Sequence, residues 1–112
     1  MTTPEGRVKN FVKRELDRLR VRYSDRLFIR MPPASIYGKP MLDWLIIARG
    51  TFGVGQAFMI ETKKDAKHDL TPRQQETKRE AEAAGCRVYK VYDEQTAIEA
   101  IGCIERWLEG LL

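Results

Sequence analysis

Histidine and cysteine are almost absent from this 112-residue sequence, which holds one His and two Cys. Cys86 and Cys103 fall in no metal-ligand spacing, and His68 alone does not complete a zinc site with them. Both thiols are expected to be free, as in a reducing, cytoplasmic compartment. A single histidine, set in the charged stretch Lys64-Lys67-His68, also leaves no Ser-His-Asp or Cys-His nucleophile system. Long apolar runs are missing too. None approaches the about 20 residues of a membrane helix, and Met1–Gly6 lacks the apolar core of a secretory signal, so no membrane partner is expected. Gly50, Gly53 and Gly55 lack the Gly-Lys-Ser/Thr ending of a phosphate loop, so no nucleotide cofactor is expected. There are no repeats, low-complexity runs or linkers, which leaves one domain over residues 1–112.

What is present is a globular composition, 43% hydrophobic and 32% charged, that can bury a core. The formal net charge of +4 is unevenly spread. Residues 1–30 carry nine Lys and Arg against four Asp and Glu, and residues 80–112 carry three against seven. A basic leading element suits a phosphate backbone, although solvated lysines on a helix give the same count. Lys9 and Lys13, with Lys64, Lys67 and Arg73 further on, are the expected DNA contacts.

Taken in order, Thr3-Pro4-Glu5 opens a helix with a capping hydroxyl, a first-turn proline and an acid at the positive dipole end. Val8, Phe11, Val12, Leu16 and Leu19 form its apolar stripe, with Glu5 and Glu15 close beside it. Leu27–Met31 reads as a strand ended by Pro32-Pro33. Met41–Ala48 and Gln56–Lys63 read as the second and third strands, joined by the glycine-rich turn 49–55. Leu45-Ile46-Ile47 is apolar on both faces, which predicts a central strand covered on both sides. Leu70-Thr71-Pro72 opens a second helix that runs to Gly85 with a thin apolar face. Cys86–Val91 is a fourth strand, and a helix follows from about Asp93 to Glu109. The order α-β-β-β-α-β-α gives an α/β fold, one mixed sheet flanked by helices.

Charge interrupts two of these strands. Side chains alternate along a strand, so Glu61 and Lys63 share one side. In an antiparallel hairpin Asp43 would sit beside Glu61, placing two carboxylates and one amine at a single sheet end. Close carboxylates need a proton or cation between them, and Mg²⁺ commonly takes one or two carboxylates plus waters and phosphate oxygens. The alternative is plainer: Asp43 as a turn residue and Glu61-x-Lys63 as a solvated ion pair.

Five fragments in order bear on this choice. They are Thr3-Pro4-Glu5-Gly6-Arg7-Val8-Lys9, Gly38-Lys39-Pro40-Met41-Leu42-Asp43, Phe58-Met59-Ile60-Glu61-Thr62-Lys63, Leu70-Thr71-Pro72-Arg73-Gln74 and Ala84-Gly85-Cys86-Arg87-Val88. Together they resemble the PD-(D/E)XK nuclease superfamily, in particular the small stand-alone phage-type members of its VRR-NUC branch. One departure is that the proline often found directly before the Asp stands at Pro40, with Leu42 in its place. The resemblance implies a restriction-endonuclease-like αβββαβ core with an extra C-terminal helix. It implies a Mg²⁺-dependent DNA endonuclease, with Mn²⁺ able to substitute, selective for branched DNA such as Holliday junctions in viral replication or repair. It makes Asp43 and Glu61 the metal carboxylates and the Thr62 backbone carbonyl a third ligand. Lys63 becomes the water-orienting amine, Gln74 a site-edge residue, and Glu5 the first-helix glutamate. A junction resolvase or restriction-like enzyme of the same superfamily is the nearest rival, and a non-catalytic basic DNA-binding module the other.

One metal site cuts one strand, so symmetric incision needs a homodimer. Ile98, Ile101, Ile104, Trp107, Leu108, Leu111 and Leu112 spread over roughly 180°, wider than the ~100° stripe that covers a core. An edge around Trp107 and Leu111 is the expected partner surface; a chain end that wraps its own core is the alternative.

Overall fold

A computed structural model describes residues 3–32 and 42–111. The expected loop 34–40, the second strand's start at Met41, and Leu112 lie outside them. The first helix, α1 (Pro4–Tyr23), starts at Thr3, whose hydroxyl accepts the Gly6 N–H at 3.0 Å. Its apolar stripe buries Val8, Val12, Leu16, Leu19 and Tyr23, with Phe11 packed at the edge. A 3-10 turn (Ser24–Arg26) leads into β1 (Leu27–Arg30), followed by β2 (Trp44–Arg49) and β3 (Gly55–Thr62). Then come α2 (Pro72–Ala83), β4 (Arg87–Val91) and α3 (Glu94–Leu108), capped by Asp93.

The sheet order is β1-β2-β3-β4, antiparallel through β3 and parallel between β3 and β4. The hairpin forms as the glycines allow. Gly50 and Val54 close the loop through Gly50 N–H to the Val54 carbonyl at 2.9 Å, with Gly53 at φ +83°. A Cβ at Gly50 would meet the Trp107 carbonyl at 3.0 Å, so this position also lets the hairpin approach the end of α3. Alternation along β2 and β3 sends Trp44, Ile46, Ala48, Phe58 and Ile60 into one core with α1 and α3.

The opposite face is only partly covered, which corrects the expectation of a strand buried on both sides. β2 is interior in the sheet order, yet Ile47 is 41% exposed and its cross-strand neighbour Phe28 44%. The short helix α2 has no buried residue of its own and lies against β4. An open cleft of about 380 Å³ remains between Leu45, Ala57 and Met59 and the end of α2. The tidy apolar run in the sequence reports strand pairing on two edges, not cover on two faces.

The charge asymmetry is partly spent inside the molecule. Arg18 and Arg22 of α1 meet Glu105 of α3 at 3.2 and 3.3 Å, and Arg22 meets Glu109 at 3.3 Å. The Tyr23 hydroxyl donates to Glu109, and burial, then that bond, pushes its pKa up to about 12, so it remains a donor. Trp107 also turns inward: its indole N–H donates to the Ala48 carbonyl at 3.0 Å. Its polar edge is thus satisfied within the chain, while Ile98 on α3 and Leu111 beyond its end stay exposed.

Leu16 is fully buried and Val21, on the same helix, is 85% exposed. Leu16→Ala is therefore expected to cost about 2–5 kcal/mol in urea unfolding, and Val21→Ala to stay within about 0.5 kcal/mol.

Candidate active site

The last backbone pair of the β2–β3 ladder joins Trp44 to Ile60. Beyond it the side chains take over. The Asp43 N–H donates to Glu61 Oε1 at 3.0 Å, and the Thr62 N–H donates to Asp43 Oδ2 at 2.9 Å. The Thr62 hydroxyl donates to the same Oδ2 at 2.5 Å. Each carboxylate is thus held by the backbone of the other strand, in bonds strengthened by charge. Glu61 is 4% exposed and Thr62 wholly buried, while Asp43 is half-buried at the rim.

The second helix closes the site from the other side. Thr71 and Gln74 form its capping box, the Thr71 hydroxyl accepting the Gln74 N–H and Gln74 Oε1 accepting the Thr71 N–H. The same Gln74 side chain reaches the strand: its Nε2 donates to Glu61 Oε2 at 2.7 Å, and its Oε1 accepts from Lys63 Nζ at 3.0 Å. Lys63 Nζ also lies 3.6 Å from Glu61 Oε2. One amide therefore caps a helix, orients a buried acid and pins an amine.

Burial, followed by the nearby Asp43 charge, raises the Glu61 pKa above its ordinary 4.5, against the lowering from the Asp43 N–H, Lys63 and Gln74. Among the described residues no hydrogen bond reaches Asp43 Oδ1; only Lys9 Nζ faces it, at 3.8 Å. A free carboxylate oxygen beside a buried acid fits a hard cation with oxygen ligands. The donor set is small: no group of three His, Cys, Asp or Glu side chains gathers among the described residues. Two carboxylates with water or phosphate oxygens are a donor set that Mg²⁺ commonly takes.

The structure brings Asp43, Glu61, Thr62, Lys63 and Gln74 together. Glu5 stays outside the pair and is linked to Asp43 through Lys9, whose Nζ is 3.9 Å from Glu5 Oε1. Lys9, one of the expected DNA contacts, stands at the carboxylates. Its spacing of one helical turn from Glu5 was the available signal. Lys13 lines an open groove of about 710 Å³ on the outer side of α1 with Arg7, Phe11 and Arg14. Lys64, Lys67 and Arg73 are exposed along the segment between β3 and α2 and in the first turn of α2.

The raised Glu61 pKa has a definite sign. Between 4.5 and the raised value the folded chain binds more protons than the unfolded one, so stability falls as pH rises through that window. Metal-free protein is expected to lose Tm relative to Glu61→Gln as pH rises from 4.5 through the raised Glu61 pKa. Millimolar Mg²⁺ restores it at the upper end, and Glu61→Gln flattens both effects; calorimetry across pH with Mg²⁺ or EDTA reads all three.

No protein-family model and no curated protein matches this sequence. A solved structure titled "VRR_NUC domain" does share the fold, with a TM-score of 0.62 at 23% identity over 90% of this chain and 97% of that one. Among the described residues no helix is long and apolar enough to cross a membrane. With its four-stranded mixed sheet, flanking helices and final α3, the chain has the restriction-endonuclease-like fold of a VRR_NUC domain.

Proposed function

We propose that the chain is a Mg²⁺-dependent DNA endonuclease whose site is the Asp43–Glu61 pair with Lys63. The observation that carries this is the interlocked carboxylate pair with one oxygen, Asp43 Oδ1, that no hydrogen bond reaches among the described residues, and an amine fixed alongside. Asp43, Glu61 and the Thr62 carbonyl would hold the cation. When bound, it supplies a water of lowered pKa and neutralises charge on the phosphoryl oxygens.

The chain's own groups do the remaining work. Lys63, 16% exposed and held by Gln74, presents an ammonium fixed in place to orient the attacking water and stabilise negative charge in the transition state. Gln74 keeps Glu61 aimed by donating to Oε2. Lys13, Lys64, Lys67 and Arg73 offer cations to the phosphate backbone on either side. The likeness to VRR-NUC enzymes extends the proposal to branched DNA and, through its small phage-type members, to viral replication or repair. It also suggests that two chains pair, since one chain carries one carboxylate pair and two incisions need two.

Asp43→Asn and Glu61→Gln are each expected to abolish cleavage with the circular dichroism spectrum unchanged. Lys63→Met should slow cleavage by at least about 100-fold. The assay is a panel of linear, flap, fork and four-way DNA with Mg²⁺, Mn²⁺ or EDTA. Normal cutting by both acid variants would sink the site assignment, whereas binding without cutting by the unaltered chain would leave a DNA-binding module whose acids only balance lysines. Light scattering during gel filtration should give twice the 13.0 kDa of one chain; a monodisperse monomer at micromolar concentration removes the dimer.

A further inference from the structure

The two lysines at the site are held in opposite ways. Lys63 is 16% exposed and donates a hydrogen bond of 3.0 Å to Gln74. Lys9 is 40% exposed, and its contacts with Asp43 Oδ1 and Glu5 Oε1, at 3.8 and 3.9 Å, exceed hydrogen-bond length. Its backbone is locked in α1, but four rotatable bonds separate that backbone from the ammonium. Lys63 is a fixture and Lys9 a counter-ion held by charge alone.

The oxygen that Lys9 faces matters. Asp43 Oδ2 is taken by the Thr62 N–H and hydroxyl, Glu61 Oε1 by the Asp43 N–H, and Glu61 Oε2 by Gln74. Oδ1 is the carboxylate oxygen of the pair that no hydrogen bond reaches among the described residues, and the Lys9 ammonium sits in front of it. A divalent cation on Oδ1 and an ammonium in the same place repel each other.

We propose that Lys9 is an exchangeable counter-ion: it neutralises Asp43 in the metal-free protein, yields Oδ1 to the divalent cation, and then turns its ammonium to a substrate phosphate. This rests on the metal-site reading above and adds a coupling to it. Departure from Oδ1 leaves Lys9 with Glu5, an i,i+4 contact that is 44% exposed on the acid's side and weakly binding, so a phosphate at the site edge can recruit it. Linkage then requires reciprocity: the cation favours nucleic acid, and nucleic acid favours the cation, through the same ammonium.

The test uses the full chain, with Lys9→Met keeping the apolar stem and removing the charge. Mn²⁺ affinity of the DNA-free protein, by titration calorimetry, is expected to tighten about two- to five-fold in Lys9→Met, the worth of one exposed ion pair. Binding of a fork DNA, with Ca²⁺ in place of Mg²⁺, should show a gain on adding cation that shrinks by a similar factor in Lys9→Met. Lys9→Arg, which keeps the charge, should not tighten Mn²⁺. Unchanged or weaker Mn²⁺ binding in Lys9→Met, or an unchanged gain in DNA affinity, overturns the exchange and makes Lys9 a fixed organiser of Glu5 and Asp43. Asp43→Asn separates the two levels. If it loses Mn²⁺ binding, the metal reading stands whatever Lys9→Met shows; if it binds Mn²⁺ like the wild type, both fall.

Discussion

The site depends on the exchange of hydrogen bonds between Asp43 and the Glu61-Thr62 segment. Where the β2–β3 ladder runs out after Trp44 and Ile60, two carboxylates extend it by accepting N–H groups from the opposite strand. These bonds hold two like charges close together against their repulsion. Strand alignment therefore sets the charge problem, and charge in turn demands the amines around it. A slip of one residue in β2–β3 register would turn Glu61 to the other face and dismantle the arrangement.

A second constraint positions that sheet end against α1. The helix is fastened at its C-terminal half, where Arg18, Arg22 and Tyr23 engage Glu105 and Glu109 of α3 over a shared apolar core. Individually such half-exposed pairs contribute little, but several charges in one network share the cost of ordering their side chains. Fastening that half leaves the N-terminal turn, with Glu5 and Lys9, beside Asp43. The basic and acidic ends of the chain thus meet each other, and the cations that remain for a phosphate backbone lie nearer the site.

Much of the candidate site was legible in the residues. Thr3-Pro4 and Thr71-Pro72 mark helix starts by capping chemistry that acts within one turn, and the glycines around 50–55 permit only a tight return. Glu61-x-Lys63 shares a side because strand side chains alternate, whatever the rest of the fold does. The double use of Gln74, as cap and as site amide, was half visible: the cap is local, but its reach to Glu61 and Lys63 depends on how α2 lies on the sheet.

The sequence by itself determined the elements and their order, because caps, turns and alternation are set by neighbours in the chain. The tertiary structure decided what the same residues face. It opened one sheet face at Phe28 and Ile47, turned Trp107 onto the Ala48 carbonyl, and set Lys9 before a carboxylate oxygen of Asp43. Each of these is a matter of how helices dock on a sheet. Docking is settled by the summed burial of distant side chains, so no local pattern records it.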